Sequence, residues 1–210
     1  MEDEDYLLAT EQFEQLNAVH PFSQYSEQSL LELAYAYYFN GDRERCRVTL
    51  GRLMRQYPDS QQLDYALYLR GIANFDEDRN LLHNGFGASP AQRSLKGARL
   101  AFDDFSRLVR DFPHSRFAPD ARRYMVYIRD QLALKEILIG EFYLERNASV
   151  AALGRAQQVL EAYISTRYTA RALDLIARAY QQMDMAPQAE QTRARLMRLY
   201  PHYQTTDGIN

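Results

Sequence analysis

The 210-residue chain is 46% hydrophobic and 25% charged, a folded composition rather than a disordered one. A net charge of −3 argues against sequence-independent nucleic-acid binding, which needs a positive surface to displace counterions. No apolar run approaches the roughly 18–20 residues that span a bilayer. The acidic opening, Met1 to Asp5, is unlike a secretory signal, so either the mature protein is cytoplasmic or a targeting segment lies outside these residues.

Cys46 is the only cysteine, which excludes an internal disulfide and a multi-cysteine metal site. The chain has 16 Tyr and no Trp, and only Lys96 and Lys135 among its 25 cations are lysines. Arg and Tyr are the residue types that anchor protein interfaces.

A recurring phrase organises the sequence. YPDS (57–60) and FPHS (112–115) match each other, and HPFS (20–23) and YPH (200–202) match them less fully. Each follows an amphipathic stretch, and proline ends a helix because it lacks a backbone donor and restricts the preceding residue. Counting back from Pro58 meets Leu53, Leu50, Cys46, Tyr37 and Ala34. The same steps from Pro201 meet Leu196, Arg193, Ala189, Tyr180 and Ala177. These are positions of the roughly 34-residue tetratricopeptide repeat, a pair of helices kept close by small residues with a Tyr wedged between them.

In chain order, repeat 1 is represented by its second helix alone, about Tyr6 to Val19, with Phe13 and Leu16 at the matching offsets. Its missing first helix leaves an apolar end uncapped and implies N-terminal truncation. Repeat 2 carries Ala34 and Tyr37 on its first helix and Cys46 on its second, so Cys46 reads as a buried core thiol. Ser26 reads as a helix cap, as does Asp120 after Pro119.

Repeat 3 is interrupted. Pro58 and Pro113 stand 55 residues apart, and the surplus falls in 76–93, between a first helix ending near Asn74 and a second starting near Ser94. This insertion carries two Gly and a Pro around Phe86, a plausible contact tip on a flexible loop. Asp103 and Asp104, on the second helix, read as a solvated face.

From Pro119 to about Asn147 the helical pattern never breaks, giving a spine of roughly 40 Å at about 1.5 Å per residue. Repeat 4 has Ile164 where the proline is expected, with Val159, Ala156, Ala152, Tyr143 and Gly140 at the matching offsets. Repeat 5 ends at Pro201. The organisation is therefore an all-α tetratricopeptide-repeat solenoid with a long central helix. Its N-terminal half is 1–118, its C-terminal half 119–203, and a tail covers 204–210.

First helices of stacked pairs line the concave groove. In repeats 2 and 3 they place Leu31, Tyr35, Tyr38, Phe39, Tyr65, Tyr68, Ile72 and Phe75 there, an aromatic surface suited to an extended peptide with aromatic side chains. In repeat 5 the same places hold Arg171, Asp174, Arg178 and Gln181, so that end is polar. His20, His83, His114 and His202 are scattered, and no nucleophile, zinc or phosphate-loop motif is present. The chain reads as a scaffold that holds proteins, with no metal and no cofactor, and not as an enzyme.

HPFSQYSEQ, LAYAYYFNGD, DYALYLRG, the GFG of the insertion, AFDDFSRLVRDFPHS and FYLERNASVAALGR together resemble the BamD family. This is the lipoprotein component of the bacterial outer-membrane β-barrel assembly machine. The resemblance runs from about Ala9 to His202 and includes both the insertion and the long helix. It implies a place on the periplasmic face of the outer membrane and a lipid anchor that these residues lack. It implies recognition, by the N-terminal half, of C-terminal targeting segments of unfolded outer-membrane proteins. It implies docking of a POTRA domain of the barrel subunit BamA by the C-terminal half, with Arg155 as the matching anchor, and accessory lipoproteins as further partners. The alternative is another periplasmic tetratricopeptide adaptor, acting in envelope or cell-division complexes.

Overall fold

The computed structural model describes residues 2–19, 25–83 and 95–204, and Phe86 of the insertion lies outside them. The described residues form nine helices and no strand: α1 (Glu2–Val19), α2 (Ser26–Phe39), α3 (Arg43–Gln56), α4 (Leu63–His83), α5 (Lys96–Asp111), α6 (Ala118–Leu144), α7 (Ser149–Ala162), α8 (Thr169–Gln182) and α9 (Ala186–Leu199). The repeats are read as α1 alone, then α2/α3, α4/α5, α6/α7 and α8/α9. The described residues separate into two compact units, one within 2–83 and 95–125, the other within 126–204, and α6 gives residues to both.

Each helix forms because its apolar residues return every three or four positions. On α5 these are Ala98, Ala101, Phe105 and Leu108, all fully buried. The turn inside a repeat recurs with one geometry. A residue in the left-handed region closes the first helix: Gly41 (φ 85), Asn147 (φ 58) and Asp184 (φ 58). Gly bears this conformation at no steric cost, and Asn and Asp tolerate it. The next backbone N–H then reaches back to the repeat's Tyr carbonyl, as Asp42 to Tyr37, Ala148 to Tyr143 and Met185 to Tyr180, each at 2.9 Å. After Gly41, Asp42 caps α3 by accepting from the Arg45 N–H at 3.0 Å.

The turn between repeats is built by the Pro-containing phrase. The Ser60 hydroxyl accepts from Gln62 N–H at 3.0 Å and donates to Glu27 at the start of α2. Ser115 does the same with Phe117 N–H at 3.2 Å and Asp64 at 2.6 Å. Where Ile164 replaces the proline, Ser165 is left-handed (φ 72) and the turn hydrogen bonds persist, Thr166 N–H to Tyr163 O at 3.3 Å among them. Asp130 fastens that turn from α6, accepting from the Arg167 backbone at 3.3 Å and its side chain at 2.8 Å.

The small-residue positions are buried as the repeat requires: Ala34, Cys46, Ala101, Ala152, Ala156 and Ala177 have no exposure. Burial pushes the Cys46 thiol up to about 12, so it stays protonated and inert. At two glycines an added Cβ would meet a side chain of the neighbouring helix. A Cβ on Gly71 would stand 2.5 Å from the Phe105 ring, and one on Gly140 would stand 2.6 Å from Leu175 Cδ2.

Three sequence expectations change. The first helix of repeat 3 does not stop near Asn74 but continues to His83, taking in the start of the insertion. Its extension is held by side chains, since Asp76 accepts from Tyr38 and Glu77 pairs with Arg47. Asp104 is not solvated: it is 5% exposed and takes bonds from Arg70 and, at 2.9 Å, from Asn74, whereas Asp103 is exposed. Neither predicted cap stands: Ser26 is the first residue of α2, with Tyr25 at the cap position, and Asp120 lies inside the first turn of α6, where its side chain accepts from Tyr68.

The glycines give the first prediction. Gly71→Ala forces the Phe105 ring to move within a filled core and destabilises the chain by about 1–3 kcal/mol. Gly154, inside α7 with open space around its Cβ, gives the opposite sign, with Gly154→Ala stabilising by about 0.5–1 kcal/mol through helix propensity. Urea midpoints of both variants check the pair, and a Gly71→Ala midpoint at or above that of the parent would contradict the close approach.

Candidate functional site

The aromatic residues of α2 and α4 do not form one uniform strip. They divide according to what each ring touches.

Around α2, Tyr35 and Phe39 lie 4.5 Å apart between ring centroids. Tyr6, from α1, stacks on Phe39 at 5.2 Å and meets Tyr35 edge-on at 6.3 Å. Tyr38 meets Phe39 edge-on at 5.2 Å. Phe39 nevertheless keeps 45% of its surface exposed. Tyr38 is held differently: its hydroxyl donates to Asp76 at 2.7 Å, and the Arg43 guanidinium lies 4.3 Å above its ring and 3.7 Å from the same carboxylate. Burial, then the bond to Asp76, raises the Tyr38 phenol well above its ordinary value.

Around α4, Phe117 joins Tyr65 at 5.3 Å and stacks on Tyr68 at 4.8 Å, with the Arg116 guanidinium 4.7 Å above it. The Tyr68 hydroxyl donates to Asp120 at 2.5 Å, and burial followed by that bond raises this phenol too. Burial pushes Tyr65 up to about 12. Phe105 and Tyr124 stack at 5.0 Å beneath, with Phe75 edge-on to Tyr124 at 5.0 Å.

Of the eight residues read as a groove, Tyr35, Tyr38, Phe39, Tyr65, Tyr68 and Ile72 are at least partly exposed. Leu31 and Phe75, 4% and 5% exposed, belong to the core instead. Sequence reasoning missed Tyr6, Phe117 and Tyr124. Tyr6 and Tyr124 carry helix periodicity, but nothing local says which neighbouring ring each meets. Phe117, two residues past the Ser of FPHS, stands in an inter-repeat turn.

In the second unit Arg155, on α7, donates from Nη1 to Glu136 Oε2 at 3.0 Å. Its side chain is 40% exposed and that of Glu136 only 5%. The polar row of repeat 5 is also engaged. Arg171 grips Glu141 with two bonds, at 2.8 and 2.7 Å, and Asp174, 3% exposed, lies 3.8 Å from Arg178. Gln181 accepts from Arg193.

Residues 1–196 match a protein family described as YfiO, an outer membrane lipoprotein. The chain is similar to the "Outer membrane protein assembly factor BamD" of Vibrio cholerae, 36% identical over 93% of this chain and 81% of that protein. It is similar to the protein of the same name from Neisseria meningitidis serogroup B, 34% identical over 94% of this chain and 74% of that one. The Pasteurella multocida protein of that name is 37% identical over 92% and 75%.

The phenols predict an alkaline transition. Tyr37 and Tyr65 are each pushed up to about 12, chiefly by burial. Folding therefore favours their protonated forms, and that stabilisation is complete below the unfolded value near 10 and is lost as pH rises through about 12. Tyrosinate absorbance should rise in two phases, the later one coinciding with loss of helical circular dichroism. A single phase at the ordinary tyrosine value, with the helices intact, would contradict these burial effects.

Proposed function

The chain belongs to the YfiO family of outer membrane lipoproteins, and from that membership we propose that it is a non-enzymatic scaffold in the assembly of outer-membrane proteins. It works by holding proteins in place, with no bond made or broken. Its station is the periplasmic face of the outer membrane, reached through a lipid anchor. No helix among the described residues is long and apolar enough to cross a membrane.

The first unit takes the C-terminal targeting segments of unfolded outer-membrane proteins, and the second docks the BamA-like barrel subunit through a POTRA domain at Arg155. The observation that carries the first assignment is the ring cluster of Tyr6, Tyr35 and Phe39, with Phe39 45% exposed. Rings on helices offer large contact area at low entropic cost, and edge or offset stacking accepts an incoming aromatic without demanding one sequence. The Tyr38 and Tyr68 hydroxyls are already committed to Asp76 and Asp120. Their rings serve the surface chiefly by holding α2 against α4 and α4 against the start of α6.

This division selects the variant to test. Tyr38→Ala would remove a ring, a cation–π contact and a carboxylate bond at once, confusing folding with binding. Phe39→Ala removes exposed surface. It should leave the thermal midpoint within a few degrees and weaken binding of a peptide ending in an aromatic residue about tenfold, the scale of losing one aromatic anchor. Titration of the full chain with a fluorescent peptide reads this directly, and undiminished affinity in a folded Phe39→Ala protein would remove the aromatic surface as the binding site.

A further inference from the structure

Glu136 is 3% exposed, on α6. A carboxylate so far from water needs a cation or several donors beside it. Arg155 supplies the cation through one nitrogen, at 3.0 Å, while 40% of its own side chain stays in solvent. The guanidinium is therefore tethered on its inner side and open on its outer side. It has five N–H donors in a rigid fork, and one bond to Glu136 leaves most of them to present. The backbone beneath it is equally fixed. Ala152 and Ala156, one turn before and next to Arg155 on α7, are fully buried, and a Cβ on Gly140 would lie 3.4 Å from the Arg155 Cβ.

We propose that Glu136 is a positioning residue: it holds the Arg155 guanidinium in one orientation so that the outer edge of its fork meets a carboxylate on the docking partner. This rests on the reading of Arg155 as the docking residue. An untethered arginine loses rotamer freedom when it binds, and a tethered one has already lost it on folding. The buried anion also offsets the arginine's charge. The contact then depends on directed hydrogen bonds to a planar carboxylate rather than on a general attraction to acidic surfaces.

Three variants of the chain separate the possibilities, with the isolated POTRA domain nearest the barrel as the probe at physiological salt. Glu136→Gln keeps the shape of the side chain and removes its charge. It should melt close to the parent and bind about fivefold more weakly, as expected for restoring rotamer freedom to one arginine. The double variant Glu136→Gln/Arg155→Ala leaves no unpaired buried charge, so it should fold, and it should bind more weakly still. Arg155→Ala alone strands the Glu136 carboxylate and should melt lower, but its folded form should bind no differently from the double variant. A purely structural Glu136 would instead make those two differ, which would overturn the proposal. Parent-like or tighter binding by Glu136→Gln, with weak binding by the double variant, would overturn positioning and leave docking standing. Parent-like binding by the double variant would overturn the docking reading itself.

Discussion

The close approach of neighbouring helices at small residues is the constraint on which the other contacts depend. A single amphipathic helix cannot bury its apolar face, and a pair can do so only if their backbones come near enough for the side chains to interlock. At Gly71 the Phe105 ring occupies the volume that any Cβ would take, so α4 and α5 sit as close as glycine permits. That ring is fully buried, and it fixes what lies above it: Tyr124 stacks on one side and Tyr68 approaches at 6.2 Å. Tyr68 in turn stacks on Phe117, which packs on Tyr65. The partly exposed rings of α4 thus stand on a chain of contacts that begins at a missing side chain.

Polar bonds set the register in which these helices meet. Asp104, buried on α5, takes two donors from α4, Arg70 and Asn74, one turn apart. In the second unit Asp130, Glu136 and Glu141, spaced along α6, take Arg167, Arg155 and Arg171. Burying a carboxylate costs more than one ion pair returns unless the geometry is good, so such bonds add little net stability. Their larger effect is on alternatives: a helix slipped by one turn would leave a charge buried without its partner. Apolar contacts alone would tolerate that slip better, because a leucine accepts almost any apolar neighbour.

The architecture was legible because the repeat imposes the same demand at the same offset each time. Ala34, Gly140 and Ala177 are small for one reason, and Tyr37, Tyr143 and Tyr180 close the same turn through the same carbonyl. The misreadings share a cause as well. Asp104 looks solvent-facing in sequence because charge is the usual mark of a surface, and only its partners, 30 and 34 residues away, show otherwise. Asp76 and Glu77 look like the start of a loop because the repeat pattern ends there. They continue the helix because Tyr38, Arg43 and Arg47, on earlier helices, hold them. Periodicity reveals which face of one helix is buried, but it carries no information about which residue arrives from the next helix. Leu31 and Phe75 read as groove residues from their helix positions and are buried instead, because depth beneath a neighbouring helix is a property of the pair.

The two units consequently offer partners different chemistry. In the first, the surface is rings whose hydroxyls at Tyr38 and Tyr68 are bound to carboxylates within the protein. What such a surface offers from those positions is area and ring polarisation, which distinguish aromatic from aliphatic side chains but select weakly among neighbouring residues. In the second, partly exposed guanidiniums are held by acids of α6, the buried Glu136 and the half-buried Glu141, and a planar fork held in one orientation discriminates by angle as well as by charge. The contrast lies in the side chains left at the surface, since buried carboxylates occur in both units, Asp104 in the first and Glu136 in the second. A ring surface demands little of a ligand's exact sequence, whereas an oriented arginine favours a carboxylate that arrives at one angle.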